Sequence, residues 1–181
     1  MNYNRTPIAT APAFDLVSVK ARLRFTDSIA DAEIAALAHA AVAEIEAYCD
    51  LAFMDQTITT ITDQWPGCII ALPVGPVAEG ATVTVAVIEA DGTATPVMSG
   101  WWLEAGRYPR LHFTTTTPGA RLRISYPAGY GEDAASVPAD LALAIQEHVC
   151  ASFDERGSTE APRGLPPAVA RIIARHRKVR A

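Results

Sequence analysis

The chain has 181 residues, half of them hydrophobic, and a formal net charge of −5. That length fits one globular domain with extra terminal length, and the apolar share excludes disorder along the whole chain. The start, Met1 to Pro12, lacks a basic cluster followed by an apolar run, and the apolar helical stretch Ile34 to Ala43 falls well short of the roughly twenty residues a membrane span requires, so neither a secretory signal nor a membrane anchor is expected.

Residues 1–14 contain Pro7 and Pro12 and show no periodicity, which reads as a flexible arm. A short helix follows, with Ser18 as its expected N-cap and Val19, Leu23 and Phe25 on its inner side. The next helix has the clearest period in the chain. Its Ile34, Leu37, Ala38, Ala41, Ile45 and Tyr48 share one helical face, with Ser28 and Asp31 as candidate caps and Glu44 and Glu46 off the stripe.

From Gln56 onward Thr, Val, Ile, Gly and Pro dominate, which predicts strands. Gln56 to Trp65 is the first, with imperfect alternation because Ile58 and Ile61 have opposite parity. Cys68 to Leu72 is the second, closed by Pro73, Gly75 and Pro76. Thr82 to Ile88 alternates, with Val83, Val85 and Val87 inward. Asp91-Gly92 then predicts a two-residue hairpin turn with positive φ at both positions. On a strand, Trp101-Trp102 would send one ring to the core and the other outward, to an edge or a contact surface. Arg110 to Thr114 points Leu111 and Phe113 inward, and Arg121 to Tyr126 does the same with Leu122, Ile124 and Tyr126. These strands are expected to form one antiparallel sheet with a polar outer face.

Pro127 to Gly131 breaks the sheet, and a third helix is expected from Pro138 to Arg156, stopped by Gly157. Its stripe is Leu141, Ile145, Val149 and Phe153. A linker from Gly157 to Gly164 leads to a final helix after Pro166-Pro167. There Val169, Ile172, Ile173 and His176 lie on one face and Arg171, Arg175 and Lys178 on the other. The fold class is therefore α+β: N-terminal helices and a C-terminal helix packed with a central antiparallel sheet, plus a short tail helix. The expected division is a flexible arm over 1–14, a core domain over 15–157, and a linker with a basic helix over 158–181.

A catalytic set does not emerge. The chain has no Gly-x-Ser-x-Gly elbow, no phosphate loop and no Gly-x-Gly-x-x-Gly, and Gly129-Tyr130-Gly131 reads as a turn. Cys49, Cys68 and Cys150 are odd in number and widely spaced, which reads as buried free thiols rather than disulfides or a zinc knuckle. His39, His112, His148 and His176 are scattered, and the adjacent pairs Glu132-Asp133 and Asp154-Glu155 read as solvated. No catalytic residue, cofactor or metal is expected.

Charge is unevenly distributed. From Ala161 onward there are six basic residues and no acidic one, which leaves nine basic and twenty acidic residues in the remainder, a net of −11. An acidic body with a basic tail suggests that the tail has a partner of its own.

Several segments resemble the head–tail connector, or head-completion adaptor, proteins of long-tailed bacteriophages and gene transfer agents. These are Leu16 to Arg24, the helix end Ala43 to Tyr48, Leu72-Pro73 with Pro76-Val77, and above all Ile124-Ser125-Tyr126-Pro127-Ala128-Gly129-Tyr130-Gly131, followed by Val137-Pro138-Ala139-Asp140-Leu141 and Ala144-Ile145. The resemblance covers about residues 16–173; the arm and the basic ending are less covered. It implies a structural virion protein, made in the bacterial cytoplasm, that forms a dodecameric ring beneath the portal. Such a ring extends the DNA channel, meets DNA only as passing cargo, and presents a surface to the next neck or tail protein. On that reading Leu165, Val169, Arg171, Ile172, Ile173, Arg175, Arg177 and Lys178 are expected to form a portal-docking helix dispensable for folding. The alternatives are a stopper or tail terminator, told apart by its neighbour, a nucleic-acid-binding module, told apart by steep salt dependence, and a small enzyme, told apart by a polar pocket.

Overall fold

The computed structural model describes residues 2–63, 65, 67–117, 120–155 and 164–177. Its contacts divide the chain into two interleaved units: Met1–Ala9 with Asp55–Tyr130, and Thr10–Met54 with Gly131–Ala181.

The Thr- and Val-rich middle of the chain builds the first unit. Its strands are β1 (Asn2–Pro7), β2 (Gln56–Thr62), β3 (Ile69–Ala71), β4 (Thr84–Ile88), β5 (Ala94–Pro96), β6 (Trp101–Glu104), β7 (Arg110–Phe113) and β8 (Arg121–Ala128). They form two antiparallel sheets rather than the single one expected, ordered β1-β2-β8-β4-β5 and β3-β7-β6. Residues 63–83 join β2 to β4 and on the way contribute β3 to the smaller sheet.

In the larger sheet β8 is central, pairing Tyr126 with Ile58 of β2 and Ile124 with Val85 of β4. Leu122, Ile124, Tyr126 and Ile58 are fully buried. The parity conflict on β2 is decided for Ile58, which places Thr60 and Thr62 inward as well. Both hydroxyls find partners: Thr60 Oγ1 donates to the Asn2 carbonyl at 3.1 Å, and Thr62 Oγ1 accepts from the Leu122 amide at 3.4 Å. Burial of those threonines is thereby compensated.

Residues 2–7, expected within a flexible arm, are instead the edge strand β1, in register with β2 from Asn2–Ile61 to Pro7–Gln56. Main-chain pairing requires no hydrophobic period, and the β1 side chains are mostly exposed. The β4–β5 connection also differs from expectation. Only Gly92 takes positive φ (87°), while Asp91 Oδ1 accepts from the Thr93 amide at 2.8 Å and the Glu89 amide donates to the Thr93 carbonyl at 2.8 Å. This is a longer loop closed by a left-handed glycine, not a two-residue turn.

The second unit consists of α1 (Leu16–Leu23), α2 (Asp31–Cys49), a 3₁₀ turn (Ala134–Ser136), α3 (Ala139–Asp154) and α4 (Pro167–Ile173). Helix α3 packs against α1, α2 and α4. Asp15, not Ser18, caps α1: its carboxylate accepts from the amides of Val17 and Ser18 and from the Ser18 hydroxyl at 2.6 Å. The Ser18 hydrogen bond leads the effects that hold the Asp15 carboxyl below its ordinary range. Helix α2 starts at Asp31 without a side-chain cap, and Asp31 and Glu33 in its first turn complement the helix dipole. Its buried stripe is Ile34, Ala38, Ala41, Ile45 and Cys49, while Tyr48 is exposed. On α3 the buried residues are Leu141, Ala144, Ile145 and Val149; Phe153 is half-buried, its ring edge-on to Phe25. Arg156 and Gly157, expected to end α3, and most of the following linker lie outside the described residues.

Candidate functional site

Pro166 and Pro167 start α4 with their φ angles already set for a first turn. Val169, Ile172 and Ile173, expected to face a partner, are buried within the second unit instead. Helix α4 lies on α3, and the Cys49 thiol of α2 points at the Ile173 carbonyl at 3.8 Å. The apolar stripe is therefore occupied by the chain itself. A stripe of this kind is as well satisfied by a neighbouring helix as by a partner's groove, and the sequence pattern is the same in both cases.

Just beyond α4, His176 is buried and its Nε2 lies 2.6 Å from Asp140 Oδ2, with Arg175 Nη2 at 3.8 Å from the same oxygen. Burial alone would raise the Asp140 carboxyl. The His176 hydrogen bond and charge, the Leu141 amide and the Arg175 charge outweigh it and hold that carboxyl below the ordinary value. The guanidinium of Arg177 sits over the Tyr48 ring, 5.3 Å from its centre. Arg171, Arg175 and Arg177 are exposed and Leu165 is half-buried, so the basic face of the segment is open while its apolar face is not. Lys178 lies outside the described residues.

The Tyr126-Pro127-Ala128-Gly129-Tyr130-Gly131 run is structural. The buried Tyr126 hydroxyl donates to the Val74 carbonyl at 3.0 Å and accepts from the Val74 amide at 3.1 Å, so it pins the segment after β3 to β8. Burial pushes that phenol well above its ordinary value. Gly129 has φ of +154°, and a Cβ there would lie 2.4–2.7 Å from atoms of Asp55. Any larger residue would push the two segments apart.

Three histidine–carboxylate pairs occur among the described residues: His112–Glu104, His148–Glu44 and His176–Asp140. His148 also has Ser152 Oγ at 3.4 Å from its Nδ1, which gives the serine–histidine–carboxylate order of a hydrolase. Ser152, however, lies inside α3, where the surrounding amides are committed to helix bonds and none is free to stabilise an oxyanion. The arrangement ties α3 to α2. A groove of about 400 Å³ runs past Phe14, Val19, Ala142 and Ile145, and its one carboxylate, Asp15, is consumed as the α1 cap. Among the described residues no three His, Cys, Asp or Glu side chains come together as metal ligands. Of the cysteines expected to be buried, Cys49 is buried, Cys150 half-buried and Cys68 exposed.

Known structures carry the same fold. The likeness is to gene transfer agent particles. A chain in the neck of an empty particle, computed with C6 symmetry, matches at TM-score 0.82 and 27% identity, over 100% of this chain and 97% of that one. A chain in the virion of a native particle matches at 0.79 and 26%, and one in a native neck computed with C12 symmetry at 0.78 and 26%, with the same coverage. No protein-family model and no curated protein matches the sequence.

The full coverage takes in β1 and α4, the two terminal elements. One feature escaped the sequence reading: the exposed Trp102 ring stacks on His112 at 3.9 Å with an interplanar angle of 5°. The doubled tryptophan was the available signal, but its partner ten residues away depends on the register of β6 with β7.

Proposed function

We propose that the chain is a structural component of the neck of a phage-like particle, the head–tail adaptor that forms a ring beneath the portal and receives the next neck or tail protein. The observation that carries this reading is the full-length likeness, at 26–27% identity, to chains in gene transfer agent neck structures. The rest of the chain agrees with it. Three of its four histidines pair with carboxylates and so join helices and strands, and its acidic body suits a channel wall that lets phosphates slide past.

In this reading the segment after the core domain meets the portal through its open basic face. Arg171, Arg175 and Arg177, and in sequence Lys178, would pair with carboxylates of the portal, with Leu165 at the start of the same segment. Val169, Ile172 and Ile173 hold that face in place from inside the unit. Deleting the gene tests the proposal: electron microscopy of lysates should show DNA-filled heads without tails. Tailed, infectious particles from the deletion strain would overturn it.

A further inference from the structure

The outward side of the three-stranded sheet carries Ile69, His112 and Trp102 in one cross-strand row, followed by Ala71, Arg110 and Glu104 in the next. Ile69 is 56% exposed and Trp102 55%. Large side chains left this open on a sheet face are the material of interfaces, where tryptophan is among the residues that carry most of the binding energy. This indole is also held before anything binds. It stacks on His112, whose Nε2 lies 2.8 Å from Glu104 Oε2, so little side-chain freedom would be lost on docking.

A second observation lies in the loop joining β6 to β7. The Arg107 guanidinium lies over the Tyr108 ring, 5.4 Å from its centre, but its Nε and Nη2 are shielded from water with no hydrogen-bond acceptor among the described residues. A cation partly withdrawn from water without an anion is unfavourable, and a docked surface that brought a carboxylate would relieve it.

We propose that this face, centred on Trp102 with Arg107 at its hairpin end, is the contact between adjacent copies of the chain in the neck ring. The inference rests on the neck reading above. In a closed ring each copy meets identical neighbours head-to-tail, through two different faces. A second copy, with twenty acidic residues outside its last 21, is a source of the carboxylate that Arg107 lacks.

The test places a photo-crosslinking benzoylphenylalanine at position 102 of the full chain and irradiates purified particles. A product of twice the chain's mass supports the proposal. A product with a different protein, or none although the chain is present in the particles, overturns the assignment of this face. Absence of the chain from the particles overturns the neck reading itself, which is a separate failure. Trp102→Ala and Arg107→Glu, each checked for unchanged thermal unfolding, should lower the chain recovered in particles about tenfold or more, as loss of an interface anchor does. Recovery at the unsubstituted level would also overturn the proposal.

Discussion

The two ends of the chain are attached by opposite means. The N-terminal strand β1 is held by its backbone, laddered against β2 while most of its side chains face outward. The C-terminal helix α4 and the turn after it are held by side chains: Val169, Ile172, Ile173 and His176 are buried, while Arg171 is exposed. A backbone ladder tolerates many sequences, whereas a side-chain anchor tolerates few. The two attachments should therefore respond very differently to truncation and substitution.

The largest effect is expected from ending the chain after Gly164. That removes three buried aliphatic side chains and the His176–Asp140 bond, for a loss on the order of 5 kcal/mol at the usual burial value per side chain. Thermal unfolding should show a strongly destabilised or aggregated protein; a truncated chain that melts like the full one would mean that α4 is an appendage. Next comes Ile173→Ala, which leaves a cavity at a fully buried position and should cost about 2–5 kcal/mol in denaturant unfolding.

The ionic part of the anchor is smaller and depends on pH. The Asp140 carboxyl is held below its ordinary 3.8, so its contribution is complete above that value and is lost as pH falls through the lower, folded-state value. Asp140→Asn should remove this acid-side slope of stability and leave the neutral-pH unfolding curve with the same shape; an unchanged slope would contradict the pairing. The smallest effects belong to β1. Tyr3→Ala and Asn4→Ala should each shift stability by no more than about 0.5 kcal/mol, because those side chains are exposed and the ladder is made by the main chain. Losses as large as those in α4 would show that the two attachments are alike after all.

Much of the architecture was legible in the residues. The three-four spacing of Ile34, Ala38, Ala41 and Ile45 and the alternation of Leu122, Ile124 and Tyr126 report which side of each element is apolar, and burial follows them. The amphipathic tail helix was equally legible, and so was the α+β class. These signals are local, since period and propensity act within a few residues of one another.

Where an apolar face goes is decided at long range. The sequence alone determined that Val169, Ile172 and Ile173 form a stripe; only the tertiary structure decided that α3 covers it. Likewise the residues determined strands, but not their partition into two sheets, nor that residues 2–7 close one edge. Pairing between backbones far apart in the chain leaves no mark in composition, because every residue but proline carries the same donor and acceptor. The same holds for Trp102 and His112, which meet through strand register, and for the Tyr126 hydroxyl and Val74, which meet through a turn 52 residues away. Side-chain chemistry supplied the parts, and the folded chain's geometry chose which of them touch.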